Sequence, residues 1–342
     1  MGIWTKKSLA ELAVHEDPEK VQLKRVLGPI DLIFLGIGAV VGAGLFSITG
    51  IAAANNAGPA ITIAFLIASL GCAFAGLCYS ELASMIPVAG SAYTYTYAIM
   101  GELIAWLIGW NLILEYAIGS ATVSISWSAY IVSFFQDLNI HLPVQLIASP
   151  WQPVSLADGT QIYGWINLPA FLIVALITLV LVKGVQESSF VNAVIVIIKV
   201  AVVLLFVAIG FFYIDKSNYD PFIPPNTGEF GSFGWSGIMR AAGVLFFAYV
   251  GFDTLSTAAQ ETKEPQRNVP IGILGSLFIC TILYVLFSLI LTGLVNYAEL
   301  DVAAPIALAV NKMPFNWLGG LIKLAILAGL TSVILVMMLS VT

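Results

Sequence analysis

The chain has 342 residues, of which 60% are hydrophobic and only 9% are charged. Its mean hydropathy is +0.99 and its formal net charge is −6. A soluble domain of this length does not need so much apolar surface. The composition therefore excludes the ordinary soluble classes and favours a protein built from membrane-spanning helices.

Eight apolar segments, each long enough to cross a bilayer, follow one another along the chain. A helix rises about 1.5 Å per residue, so about 20 apolar residues cross a hydrocarbon layer of about 30 Å. We therefore predict an all-α, polytopic membrane protein. Its spans one to eight are expected at residues 30–54, 60–83, 102–135, 166–183, 190–213, 235–259, 271–295 and 317–341.

The distribution of Lys and Arg between the loops predicts the orientation, because cytoplasmic loops are enriched in these residues. With both termini inside, eight basic residues lie in cytoplasmic segments and two lie in outer loops. The eight are Lys6, Lys7, Lys20, Lys24, Arg25, Lys183, Lys263 and Arg267, and the two are Lys216 and Lys312. We expect residues 1–29 to form a cytoplasmic N-terminal segment of a multi-pass protein in the cell (plasma) membrane.

The first span is interrupted by four glycines, Gly36, Gly38, Gly42 and Gly44. A dinucleotide-binding turn is excluded, since no strand precedes these glycines and no acidic residue follows about 20 positions later. Two interpretations remain open on the glycines alone. They form either a small-residue surface for close helix packing, or a break in the helix that lines a binding site near mid-membrane.

The third span carries a polar stripe, because its polar residues recur at spacings that place them on one helical face. We expect this face to contact other helices or water instead of lipid. The charged member, Glu115, either anchors a neighbouring helix by hydrogen bonds or faces the binding site. The stripe consists of Asn111, Glu115, Thr122, Ser126 and Tyr130.

The fifth span contains Lys199, which lies too far from either end of the span to reach the membrane surface comfortably. An ionisable residue at this depth costs several kcal/mol and usually faces a cavity or a partner. One interpretation is a structural lysine that donates to the carbonyls of a broken helix. The other is a proton carrier, since burial disfavours its charged form.

The sixth span resembles two half-helices that meet at Gly251 and Asp253. An acid in the first turn of the second half is favoured by the helix dipole, so Asp253 is either a cap or a residue of the site. Interrupted spans one and six would be equivalent members of two repeats. We expect the first five-helix repeat at residues 30–213 and the second at residues 214–342.

Four stretches together resemble the amino acid–polyamine–organocation transporter superfamily, and within it the cationic amino acid transporter branch. They are residues 36–46, 79–93, 109–116, and 246–253 with its continuation to 261–270. The resemblance covers essentially the whole chain. It implies a leucine-transporter-like inverted-repeat fold and secondary active transport of L-amino acids, by alternating access around the discontinuous spans one and six.

The resemblance also implies a site at these two breaks and favours the binding interpretation of the glycines. The N–H groups of Gly42, Ala43 and Gly44 would hold a substrate carboxylate, as helix N-termini hold anions. The substrate ammonium would meet main-chain carbonyls, and neighbouring side chains would shape the pocket. The carbonyls are those of Val40, Phe247 and Val250, and the side chains are those of Phe247, Ala248 and Phe252.

Lys199 matches a lysine of the family that stands where sodium-coupled relatives bind a cation, which implies proton coupling. The apolar pocket residues, together with Leu330 in span eight, favour small neutral amino acids over arginine or lysine. A charged tail buried without an acid would cost several kcal/mol. Glu115 or Asp253 supplies that acid only if one of them faces the pocket.

One departure concerns length, since the family core has ten helices and we expect the second repeat here to stop after the eighth span. Two alternative functions stay open, an amino-acid exchanger and an amino-acid-binding membrane receptor that does not transport. The cysteines lack the spacing of a zinc site, and no nucleophile–base pair is present. We predict no enzyme activity, metal, cofactor or nucleic acid partner, and leave open a small membrane subunit.

Overall fold

The computed structural model describes residues 6, 25–86, 91–151, 153–155, 161–183, 189–314 and 316–341. Most of the predicted N-terminal segment 1–29 lies outside the described residues. The same is true of residues 87–90, within the second of the four matching stretches.

The described chain is almost wholly helical. Its first half forms α1 (Pro29–Val40), α2 (Thr49–Ala52), α3 (Ile61–Met85), α4 (Ser91–Ile99), α5 (Glu102–Asp137), α6 (Leu168–Val182) and α7 (Ser189–Gly210). Its second half forms α8 (Gly234–Leu245), α9 (Thr254–Thr257), α10 (Pro265–Leu294), α11 (Pro305–Asn311) and α12 (Asn316–Val341). Between α5 and α6, strands β1 (Pro153–Ser155) and β2 (Gln161–Tyr163) pair antiparallel, with Val154 opposite Ile162.

The helices accommodate all eight predicted spans. Among the described residues, six helical runs are long and apolar enough to cross a membrane by length and composition, and α1 and α6 are shorter apolar helices. One run, Gly44–Met85, contains the end of span one and all of span two. The chain is divided there at Gly58, whose φ of +59° is a conformation that glycine adopts readily. The all-α, polytopic prediction is confirmed.

Large apolar side chains cover the outside of the bundle. Leu70 and Phe74 of α3, Leu179 of α6 and Phe278 of α10 each expose at least 60% of their surface. A water-soluble protein does not present so many large apolar groups around its circumference. In a bilayer these groups face the lipid tails, which are apolar as well.

Helix α10 packs closely against α1 because small residues lie at the crossing points. A Cβ added at Gly36 of α1 would lie 2.5 Å from the Ser276 hydroxyl oxygen of α10. A Cβ added at Gly272 would lie 2.7 Å from the Cβ of Leu32. Close backbone approach through small residues is the usual packing mode of membrane helices. The packing interpretation therefore accounts for Gly36.

The first span is broken where the glycines predict it. Helix α1 ends at Val40, and Val41 has the extended ψ of 98°. A π-helical turn, Gly44–Ile48, then starts the second half of the span. Its first bonds are unusual, since the N–H groups of Leu45 and Phe46 both donate to the Gly42 carbonyl at 3.1 Å.

The sixth span is broken in the same manner. Helix α8 continues as a 3₁₀ turn over Phe246–Tyr249, and Val250 then has the extended ψ of 136°. Gly251 follows with a φ of +113°, a region that side chains rarely adopt. Helix α9 begins directly after Asp253. Both predicted interruptions are present.

The broken spans are also tied to each other at one end of the bundle. The N–H groups of Val26 and Leu27 donate to the Glu261 carbonyl at 2.9 and 3.0 Å. The N–H of Lys263 donates to the Leu27 carbonyl at 2.9 Å, which completes a short parallel bridge between Leu27 and Thr262. The start of span one and the end of span six are thus held together by backbone.

Candidate functional site

The two breaks face each other in the centre of the bundle. A Cβ added at Gly44 would collide with the Cα of Ala248, so the second half of span one touches the 3₁₀ turn of span six. A Cβ added at Gly251 would lie 2.9 Å from the Ala39 carbonyl oxygen. These contacts bring Ala39 and Gly44 of span one beside Gly251 and Ala248 of span six.

The N–H groups that were assigned to a substrate carboxylate lie at the start of a helical segment. Gly42 stands before this segment, and Ala43 and Gly44 occupy its first turn, where N–H groups have no acceptor within the helix. All three residues are buried. A Cβ added at Gly42 would lie 3.2 Å from Val333 of α12, so α12 forms the wall on this side. Helix N-termini of this kind favour anions, so the position agrees with the carboxylate site expected from the sequence, which stays a prediction.

The carbonyls that were assigned to a substrate ammonium are only partly brought together. The Tyr284 hydroxyl of α10 lies 2.9 Å from the Val40 carbonyl and 2.9 Å from the Ala248 carbonyl. One hydroxyl proton donates to one of these acceptors at a time. The Phe247 carbonyl instead accepts the N–H of Val250 at 3.2 Å. Val40 and Ala248 are therefore the carbonyls that meet at the break.

Lys199 contacts the break in span one directly. Its ammonium is buried and donates to the Gly38 carbonyl at 2.8 Å, two residues before α1 ends. Its aliphatic stem lies against Gly329 of α12, where an added Cβ would be 3.0 Å from Cγ of the lysine. The contact joins α7, α1 and α12 at one point. A charged donor strengthens such a hydrogen bond relative to a neutral one.

Asp253 joins span six to span three. Its carboxylate is buried and accepts a hydrogen bond from the Tyr116 hydroxyl at 2.6 Å. It stands at the N-cap position of α9, but its side chain makes no cap hydrogen bond. Glu115, the residue before Tyr116, is half-buried. The contact to Tyr116 makes Asp253 an anchor between spans six and three, which is neither the cap nor the site role considered from the sequence.

The apolar residues assigned to the pocket are all at least half-buried around the breaks. Ala248 lies against Gly44, and Phe247 is half-buried. Phe252 is buried and packs edge-to-face on Tyr79, with ring centroids 5.6 Å apart. Leu330 of α12 is fully buried. The setting of these four side chains is apolar and aromatic.

The polar stripe of span three only partly faces other helices. Tyr130 is buried and donates to the Phe46 carbonyl, and Ser126 is buried as well. Asn111 is exposed, and within the described residues its amide does not contact another helix. Its amide donates to the Leu107 carbonyl of its own helix at 3.0 Å, which satisfies the donor without a neighbouring helix.

Three residues that were not singled out from the sequence make buried polar contacts between helices, namely Tyr116, Tyr284 and Lys323. Lys323 of α12 is fully buried and lies 2.6 Å from the Asp137 carboxylate. It was visible in the sequence as a charge inside an apolar segment. The two tyrosines gave no such signal, because tyrosine is an ordinary residue of apolar helices.

Comparison with known proteins gives the family of the chain. The amino acid permease family matches residues 27–342. The branched-chain amino acid permease BcaP of Bacillus subtilis is 46% identical over 338 residues, which cover 98% of this chain and 69% of that protein. The methylthioribose transporter of the same organism is 41% identical, with the same coverage. The chloroplastic cationic amino acid transporter 9 of Arabidopsis thaliana is 41% identical over 92% of this chain and 53% of its own length.

The fold has a counterpart among solved structures. The crystal structure of MhsT in complex with L-phenylalanine superposes with a TM-score of 0.63 at 15% sequence identity. The match covers 92% of this chain and 72% of that chain. It confirms the leucine-transporter-like fold. The chain therefore belongs to the amino acid permease family, within the amino acid–polyamine–organocation superfamily of transporters.

Proposed function

We propose that this amino acid transporter moves a neutral L-amino acid across the cell membrane together with protons, by alternating access around the breaks in spans one and six. The observation that carries the proposal is the contact of Lys199 with the Gly38 carbonyl. It joins a buried titratable group to the backbone at the break. The N-terminus lies in the cytoplasm, as the Lys and Arg distribution favours.

The main-chain groups of the amino acid are held by backbone. Its carboxylate accepts N–H groups from Gly42, Ala43 and Gly44, which the helix N-terminus favours. Its ammonium donates to the Val40 carbonyl and to the carbonyls of residues 247–250. An ammonium carries three donors, so it serves both the Val40 and the Ala248 carbonyl, for which the Tyr284 hydroxyl has only one proton, and it competes there with that hydroxyl.

Lys199 links this binding to protons through its charge. When charged, it forms a charge-assisted bond that holds α1 against α7 and α12. When neutral, it binds the Gly38 carbonyl more weakly, and α1 is then easier to move. Because burial penalises an unpaired charge, the lysine changes its protonation when its surroundings change. A proton is thus taken up in one conformation and released in another.

The side chain of the cargo is neutral. Phe252, Leu330 and Ala248 offer it an apolar surface, and the anchored Asp253 is already bonded to Tyr116. Burying an ammonium or guanidinium tail there without a partner would cost several kcal/mol. The name of the 46%-identical Bacillus relative, a branched-chain amino acid permease, agrees with this assignment. The cationic transporter names of other relatives make arginine the competing cargo to test.

The experiment has a binding arm and a transport arm. Purified protein is screened for thermal stabilisation by L-amino acids, because a ligand stabilises the state that it binds. Uptake into liposomes is then measured with and without an imposed pH gradient. We expect Lys199→Met to retain binding and lose the response to the gradient. The control, Lys312→Met, removes a lysine from an exposed ion pair with Glu299 and should change neither readout.

Four results would contradict parts of the proposal. A normal gradient response in Lys199→Met would show that the lysine is only structural. Exchange of internal for external amino acid, without net uptake, would favour the exchanger. Stabilisation by amino acids without uptake or exchange would favour the receptor. Arginine competing with labelled alanine more strongly than serine or glycine does would overturn the neutral cargo.

A further inference from the structure

Helices α5 and α12 lie side by side and antiparallel, and matched contacts join them along their length. The Trp127 indole N–H donates to the Thr331 hydroxyl oxygen at 3.0 Å. Further along α5 in the N-terminal direction, Gly119 lies opposite Met337, where an added Cβ would be 3.0 Å from the sulfur. At the other end, the Lys323 ammonium lies 2.6 Å from the Asp137 carboxylate.

Burial of the charged Lys323 in an apolar helix costs free energy. This lysine is fully buried within the apolar run Gly319–Ser340 and lies seven residues before Leu330, on the same face of α12. A charge in a membrane span is retained only with a partner, and loss of the partner leaves the charge uncompensated. The Asp137 carboxylate, which is 37% exposed, supplies that partner.

Asp137 also needs a partner. It is the last residue of α5, a helix of 36 residues with no basic residue in its last turn. The C-terminal end of a helix carries a partial negative charge, so a carboxylate there is unfavourable. Lys323 provides the missing cation from another helix. The buried Lys323 keeps this partner only when the two helices hold one axial position relative to each other.

That axial position determines what Lys199 contacts. Gly329 lies six residues after Lys323 on α12, and an added Cβ there would be 3.0 Å from Cγ and 3.1 Å from Cε of Lys199. The residue that follows Gly329 is Leu330. A helix advances about 1.5 Å and turns about 100° per residue. A slip of one residue would therefore set a larger side chain against the lysine stem.

We propose that Lys323 and Asp137 form a positioning pair for Lys199. The pair fixes the register of α12 on α5, which keeps Gly329 beside the lysine stem and the Lys199 ammonium on the Gly38 carbonyl. Trp127 and Thr331 support the same register at mid-helix. This inference deepens the proposed proton coupling and rests on it, whereas the register itself is measurable separately.

The first test measures register. In a background without Cys72, Cys78 and Cys280, the double substitution Gly119→Cys and Met337→Cys places two thiols across the helix pair. We expect rapid oxidative cross-linking, a severalfold lower yield after Lys323→Met or Asp137→Asn, and recovery after the charge exchange Lys323→Asp with Asp137→Lys. Lys323→Arg, which keeps the charge, should retain most of the yield. Lys312→Met should leave it unchanged.

The second test measures the pH dependence of amino-acid binding and of gradient-driven uptake. We expect Lys323→Met to shift both in the same direction as Lys199→Met, and the charge exchange to restore them. Undiminished cross-linking in Lys323→Met and Asp137→Asn would overturn the inference. The inference would also be overturned if Lys323→Met reduces cross-linking but leaves the pH dependence unaltered, provided that Lys199→Met alters the pH dependence. A normal pH dependence in Lys199→Met overturns the proposed function itself.

Discussion

The hydroxyl of Tyr284 lies 2.9 Å from the carbonyl oxygen of Val40, the last residue of α1. The same hydroxyl is 2.9 Å from the Ala248 carbonyl of span six. Tyr284 of α10 thus bridges the two breaks. Its hydroxyl donates to the carbonyls that we assign to the ammonium of the cargo. The bridge and the cargo ammonium compete for one set of carbonyls.

We expect Tyr284→Phe to lower thermal stability in the absence of an amino acid, because a buried carbonyl that loses its donor costs about 1–3 kcal/mol. The stabilisation gained on adding an amino acid should be larger than in the wild type, since the ammonium no longer competes with a hydroxyl. Thermal melting with and without ligand measures both effects. Tyr297→Phe in the loop before α11 is the control. If Tyr284→Phe loses the stabilisation by amino acids, the hydroxyl and the cargo ammonium do not compete for the same carbonyls.

Gly44 should not tolerate a side chain. We expect Gly44→Ala to reduce stability by about 1–3 kcal/mol, because its Cβ would overlap the backbone of Ala248. Amino-acid binding should be lost, since the two breaks are pushed apart. Gly243→Ala in α8 is the matched control, as an added Cβ there meets no atom of the described part of the chain within 4 Å. That variant should melt at or above the wild-type temperature, and equal melting of both variants would refute the close contact.

Tyr116 and Asp253 should be coupled in a double-mutant cycle. We expect Tyr116→Phe to destabilise the protein, because the buried carboxylate loses the donor at 2.6 Å. In a protein that already carries Asp253→Asn, Tyr116→Phe should lower the free energy of unfolding by less. We expect a coupling energy of about 1–3 kcal/mol. Melting temperatures of the four proteins give the cycle. Simple additivity of the two substitutions would exclude the anchor.

The loop between α7 and α8 should be sensitive to acid. Hydrogen bonds from the Ser217 hydroxyl at 2.7 Å and from its N–H at 2.9 Å lower the pKa of the Asp215 carboxyl below its ordinary value. A carboxyl whose folded pKa is depressed contributes stability above the unfolded pKa and loses it as the pH falls through the folded value. Hydrogen exchange at the Ser217 amide should therefore be protected at pH 6 and lose protection below about pH 3.8. Asp215→Asn should remove this pH dependence.

The breaks in the helices were predictable because their causes are local. Glycines in span one and the Gly251–Asp253 pair weaken a helix whatever lies beside it, and both interruptions are present. Lys199 was predictable for a similar reason, since a charge stands out in an apolar run. The acceptor of Lys199, the Gly38 carbonyl, was named only as the backbone of a broken helix.

What sequence reasoning missed depends on contacts between distant segments. Tyr284 is separated from Val40 by 244 residues, and Tyr116 from Asp253 by 137. Nothing in the spacing of either tyrosine distinguishes it from residues that face lipid. The bond of Asn111 to the Leu107 carbonyl of its own helix was likewise not apparent from the spacing of the polar stripe.

The backbone bridge between Leu27 and Thr262 gives the bundle a mechanical property. Hydrogen bonds between main-chain groups do not depend on side-chain identity, so this connection withstands most single substitutions on either strand. A pulling force on the chain before α1 is transmitted by these hydrogen bonds to the end of span six. A protein that grips the N-terminal segment would therefore pull on both broken helices at once.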